Sequence, residues 1–292
     1  MIRLDWSENL SLFQARQEKG AYYNDIQISV HPMIVYKYSE LIDELEVLSY
    51  AGISDCTIHR APATWVTLLK VLNELESTVS DITIVSDSPF TQYRNKFMIW
   101  FIAKYAEERN TTISWVYTES GHGKGPADGV GASVKNTILN DIIALNPNKV
   151  IRDCNAVLEL WPNSSSIMIL AYTKEDIESA REQIPHEITN GRLQSKNFGI
   201  GKSHEVVCSP IGEIYLKLNS NTDAAKASFK CSSKQKITTS TSGVDLSDDT
   251  CAAESDSEIV PLPNSKVNKF DINDYVAIEY EGDIFSWENY CS

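Results

Sequence analysis

Three aspartates in this chain each follow an apolar run. Asp5 ends the run Ile2-Arg3-Leu4, Asp87 follows Ile82-Thr83-Ile84-Val85 across Ser86, and Asp128 lies in a glycine-rich turn after Ile113-Ser114-Trp115-Val116-Tyr117. Short apolar runs of this kind read as buried strands. If those strands are neighbours in one sheet, their carboxylates converge at one end of it. Carboxylate oxygens suit hard divalent cations, and paired cations serve phosphodiester chemistry. Each residue also has a plainer reading. An Asp after a strand is commonly a turn former or a helix cap. Asp128, just before Gly129, is a natural N-cap, Glu119 competes with it as third ligand, and the strand before Asp5 is short.

The segment Glu119-Ser120-Gly121-His122-Gly123-Lys124-Gly125-Pro126-Ala127-Asp128-Gly129-Val130-Gly131 places His122 and Lys124 in a loop between a strand and a helix. Loop amides and a helix N-terminus suit a phosphate, with Lys124 adding a contact, although a solvated turn accounts for the same residues. A P-loop is excluded: Thr118 stands where its first glycine belongs, and Gly125 where its Ser or Thr belongs. Tyr93, Arg94 and Lys96, after Asp87, either follow a nucleic-acid backbone or form an ordinary helix N-terminal face. His31, His59, His186 and His204 have no metal-ligand spacing. Trp6, Trp65, Trp100 and Trp115 read as core.

Three blocks carry a family resemblance. Asp5-Trp6-Ser7-Glu8-Asn9-Leu10 resembles the "DFAENY" opening of a group of animal transposon-derived proteins. Ser86-Asp87 to Asn95-Lys96 resembles their "SDG…QFKN" segment, and His122 to Gly131 with Lys135 resembles "HGKGPVDGVGG…VK". The blocks fall in the family's order over residues 1 to 140, with weaker likeness to about 217. The resemblance implies an RNase H-like core of the DDE transposase and integrase type. It implies Asp5, Asp87 and Asp128 as catalytic residues holding two Mg2+ or Mn2+ ions, with Asp5 bridging both. DNA is then the partner, touched by His122, Lys124, Lys135 and Arg94, and a nuclear location follows; a homo-oligomer stays open. Three departures point to a truncated or domesticated relic. Ser88-Pro89 replaces Gly-Ala beside Asp87, the end-recognition region is expected to be absent before Ile2, and the C-terminal hairpin is expected to stop before a barrel closes.

Around these residues, strands are expected at 2–6, 27–36 (broken or edged by Pro32), 53–58, 82–85 and 113–117. Helices are expected at 63–75, 96–109 and 129–145. That alternation suits a mixed sheet flanked by helices, an α/β class, over residues 1–150. Residues 151–218 read as a small α+β extension, with a strand at 166–172, a capping box at Thr173 and Asp176, and a strand pair around Pro210-Ile211-Gly212. Residues 219–264, rich in small polar residues, read as a disordered linker. Residues 265–292 alternate like a truncated SH3-like hairpin turning at Glu281-Gly282-Asp283.

The net charge of −14 argues against general DNA affinity, which rests on Lys and Arg. The charge is uneven. From 192 to 236 stand Arg192, Lys196, Lys202, Lys217, Lys226, Lys230, Lys234 and Lys236, against only Glu205, Glu213 and Asp223. Six cysteines without a CxxC pair argue against a zinc finger and a disulfide framework, and so for an intracellular protein. No apolar run is long enough to span a membrane. Two other readings stand beside a nuclease: a catalytically silent interaction protein on the same fold, and a small-molecule enzyme on a doubly wound sheet, which would need a deep apolar cavity.

Overall fold

A computed structural model describes residues 1–12, 26–39, 43–75, 79–118, 125–146, 151–231, 279–280 and 283–284. The chain divides into two units, 1–236 and 237–292. In the second, β12 (Glu279–Tyr280) pairs antiparallel with β13 (Asp283–Ile284).

The first unit is built on one mixed sheet. Its strands are β1 (Ile2–Leu4), β2 (Leu10–Ser11), β3 (Gln27–Ser39), β4 (Glu44–Ser54), β5 (Asp81–Ser86), β6 (Thr112–Tyr117), β7 (Ile167–Ala171), β8 (Gly191–Ser195), β9 (Glu205–Cys208), β10 (Ile214–Lys217) and β11 (Ala225–Cys231). The spatial order is β7-β4-β3-β1-β5-β6-β9-β10-β11-β8, with β2 joined to β3. Strand β1 is central, antiparallel to β3 and parallel to β5; β5 and β6 are parallel.

Alternation divides the side chains between two cores. Ile2, Leu4, Met33, Val35, Ile84, Ile113 and Trp115 face helices α1 (Ala61–Glu74) and α2 (Lys96–Arg109). Ile28, Val30, Ile34, Ala51 and Ile53 face α3 (Pro126–Asn136), the π-helix Thr137–Ala144 that continues it, and α4 (Cys154–Glu159). Helices α5 (Lys174–Glu182) and α6 (His186–Asn190) complete the unit. At α5, Thr173 Oγ1 accepts from Asp176 N and Asp176 Oδ2 accepts from Thr173 N, the reciprocal cap expected there.

Four expectations need correction. The strand expected at 53–58 lies at 44–54 instead, where it pairs with β3 along its whole length. Cross-strand partners such as Lys37 for Glu46 hold its charged residues in the ladder. Pro32 breaks nothing: β3 runs straight through it. Its carbonyl accepts from Asp5 N beyond the last residue of β1, so its missing N–H falls where the ladder with β1 has ended. The helix expected at 129–145 begins at Pro126, with Gly125 and not Asp128 as its N-cap, and changes to π geometry at Thr137. Finally, residues 225–231, read from composition as part of a disordered linker, form β11. It is paired on both sides by β10 and β8, and Ala227 and Phe229 face the core. Residues 219–224 of that segment form a hydrogen-bonded turn, in which Thr222 N donates to the Asn219 carbonyl at 3.1 Å, and residues 232–264 lie outside the described residues.

Candidate carboxylate site

The backbone register puts Arg3 and Asp5 on the α3 face of β1, opposite Ile34 and Pro32 of β3. Val85 pairs with Arg3, so alternation brings Asp87 to the same face and the same end of the sheet. Helix α3 then delivers Asp128 from above. The helix approaches closely because Gly131 lies against Pro32 and Ser7; a Cβ there would stand 3.3 Å from each. Gly125 packs on the Arg3 guanidinium even more tightly, with a Cβ falling 2.7 Å from Arg3 Cζ. Gly129 is different, since a Cβ there would meet nothing within 4 Å.

The three carboxylates feel one another. Burial first, and then the charges of Asp87 and Asp128, push Asp5 up from 3.8 to about 7; the Trp6 N–H bond and Arg3 oppose this. Burial and then Asp128 raise Asp87. One oxygen on each of two carboxylates is used locally. Asp5 Oδ1 accepts from Trp6 N at 2.8 Å, and Asp128 Oδ2 accepts from Gly125 N at 2.7 Å, capping α3. Asp87 Oδ1 is buried without a hydrogen-bond partner. Among the described residues, no three His, Cys, Asp or Glu side chains are gathered closely enough to hold one ion.

Residues that the sequence reading placed in the core or outside any site fix these carboxylates. Trp115 Nε1 donates to Ser86 Oγ at 2.9 Å, and Ser86 Oγ donates to the Asp87 carbonyl at 2.7 Å. Trp6 is clamped between His31 and His59, each ring centroid 4.1 Å from its own. Its Nε1 donates to Thr64 Oγ1 at 3.0 Å. With both faces covered, Trp6 cannot stack on a base, and it holds the backbone beside Asp5. His31 is fully buried, bonded to Thr67 Oγ1 at 2.5 Å, and held down to about 3 by burial and by His59. The sequence signal for Ser86 and Trp6 was adjacency to a candidate carboxylate. Nothing in sequence linked Trp115 or His31 to the site.

The remaining candidates scatter. Lys135 lies seven residues beyond Asp128, about 10 Å along α3. Arg94 lies over the Phe90 ring at 4.6 Å, with Nε buried and unpartnered. Tyr93 is fully buried against His31 and cannot follow a nucleic-acid backbone, and Lys96 is tied down: Nζ donates to the carbonyls of Thr189 and Gly191 at 2.5 and 2.9 Å. Glu119, His122 and Lys124 lie outside the described residues. No helix among the described residues is long and apolar enough to cross a membrane.

The fold and this site define a mixed α/β protein with three interacting carboxylates at one end of its central strands. Residues 1–220 match a family described as a domain of unknown function (DUF8701), and the chain belongs to that family. Neither the curated proteins nor the solved structures contain a match.

Proposed function

We propose that the first unit is an RNase H-like core of the DDE transposase and integrase type, acting on phosphodiester bonds of DNA. The single observation that carries this reading is the approach of Asp5, Asp87 and Asp128 to one another at the same end of β1, β5 and α3. The order β4-β3-β1-β5-β6, antiparallel through β1 and parallel after it, is the order expected of such a core. The short pair β12–β13 is read in the same frame as the remnant of an SH3-like hairpin.

The donor set suits magnesium or manganese. All donors are carboxylate oxygens, and Asp87 offers a buried oxygen that nothing else satisfies. Asp5, Asp87 and Asp128 would hold the ions. When bound, two such ions activate a water or hydroxyl nucleophile and stabilise the leaving oxygen. The chain's own part is to orient. The Trp115–Ser86 relay fixes Asp87, the His31–Trp6–His59 stack fixes Asp5, and Gly131 lets α3 bring Asp128 close.

One observation favours a second reading, a catalytically silent interaction protein on the same fold. The Asp128 carboxylate caps its own helix, and no three ligands among the described residues are gathered on one ion. A calorimetric titration with Mg2+ and Mn2+, at matched ionic strength, separates the two. The catalytic reading expects saturable binding by the natural chain that is lost in Asp87→Asn, with metal-dependent nicking of a DNA duplex. Binding without nicking leaves the silent version. No binding to the natural chain ends the metal site.

A further inference from the structure

The sheet continues past β6 into a wing, β9-β10-β11-β8, and its two faces differ. One face carries Val206, Cys208, Ile214, Leu216, Ala227 and Leu193 into the core beneath α2 and α6. The other follows in register from the face that bears Asp5 and Asp87. Val85 pairs with Val116, Val116 with Glu205, Glu205 with Lys217; Ser114 pairs with Val207, Val207 with Tyr215, and Tyr215 with Lys226. Of these face residues only Glu205 is buried, and the described helices that pack on the wing, α2 and α6, lie on its other face.

Four cations step diagonally across this open face: Lys217, Lys226, Lys230 and Arg192. The first two have acidic partners, Glu205 at 2.9 Å and Glu213. The last two do not. Lys230 and Arg192 stand directly opposite each other on β11 and β8. Both are exposed, and neither has an acidic partner among the described residues. Like charges directly opposed across a strand pair destabilise it. An anion lying between them removes that repulsion.

We infer that this uncovered wing face is a nucleic-acid track leading to the carboxylates, with Arg192 and Lys230 as its distal phosphate contact. The choice of nucleic acid rests on the phosphodiester reading above, because the track and the carboxylates share one continuous face. The geometry sets a reach. Arg192 is five strand spacings from β5, about 24 Å, and Lys230 lies eight residues further down the sheet than Asp87, about 26 Å. The diagonal is about 35 Å, or about ten base pairs at roughly 3.4 Å each.

The test uses the full chain in EDTA, so that it does not depend on the metal site. Affinity for a fluorescent 24-base-pair duplex is measured from about 50 to 200 mM salt. Neutralising both residues (Arg192→Gln with Lys230→Gln) is expected to lower the salt slope by about 2, for two lost phosphate contacts. Lys104→Gln, on α2 behind the sheet, is expected to leave it unchanged. Lys230→Glu supplies the signature that a structural role lacks: it gives Arg192 an opposite charge, so the melting temperature rises while duplex affinity falls. The inference is overturned if the natural chain binds no duplex at the lowest salt or if the double variant keeps the full slope. It is equally overturned if Lys104→Gln matches the double variant, or if vesicles of anionic lipid, and not the duplex, depend on Arg192 and Lys230. Loss of magnesium binding in Asp87→Asn with an intact slope would support both readings separately. An intact slope response with no magnesium site would leave the track standing alone.

Discussion

Replacing Asp5 by Asn is expected to stabilise this protein above neutral pH. Asp5 is raised from 3.8 to about 7, first by burial and then by Asp87 and Asp128. Between those values the folded chain keeps a proton that the unfolded chain has released, so stability falls as pH rises from about 4 to 7. At about 1.4 kcal/mol for each pH unit, the full gap is worth about 4 kcal/mol. The carboxylate is only half-buried, and screening by solvent reduces this to about 2 kcal/mol. Asn keeps the oxygen that accepts from Trp6 N, so the change removes charge and little else. His31 acts in the other direction, because a histidine held at about 3 favours folding as pH rises towards 6.5. The informative quantity is therefore the difference between Asp5→Asn and the natural chain. Urea denaturation in EDTA is expected to show little difference near pH 4 and a gain of about 2 kcal/mol for the variant at pH 8. Millimolar magnesium should stabilise the natural chain at pH 8 and the variant much less. A variant no more stable at pH 8, or equally stabilised at pH 4, refutes the reasoning.

The glycines of α3 divide by surroundings. Gly129→Ala meets nothing within 4 Å and should gain up to about 1 kcal/mol from helix propensity. Gly131→Leu must push Pro32 and Ser7 away and should lose about 1–3 kcal/mol, together with magnesium affinity; thermal melts and a metal titration check both. At Gly52 a Cβ would stand 2.6 Å from Thr67 Cγ2. Gly52→Ala should therefore cost about 1–3 kcal/mol, most of it recovered by adding Thr67→Ser in a double-mutant cycle.

Periodicity located the elements that carry the carboxylates. Helix α2 begins and ends where the apolar spacing placed it, and β5 and β6 are the two continuous apolar runs. It failed where context outweighs composition. Strand β4 opens with Glu44 and Glu46, whose place in a ladder only β3 makes clear. Strand β11 looks polar because its outward residues are Lys226, Ser228 and Lys230, and a strand needs only alternate residues inside. The candidate site was legible as three aspartates at element ends. Its supports were not, because Trp115 reaches Ser86 and Trp6 reaches His31 across the sheet, and sequence distance hides such pairs.

The order of strands in the sheet is not their order along the chain, and this sets the timing of assembly. All three carboxylates have been synthesised once Asp128 has. At that stage β4 and β6 are the outer strands, because β7 and β9 come only at residues 167 and 205. At cellular rates the 80 residues from Asp128 to Cys208 take about 4–16 s to add. The rim along β4 stays unpaired until β7 arrives at residues 167–171, and the rim along β6 until β9 arrives at 205–208. Bare rims of this kind recruit strands from other chains. Residues 151–231 therefore act first as a late-arriving guard for both sides of an early core, and the same property would follow any fragment cut near residue 150.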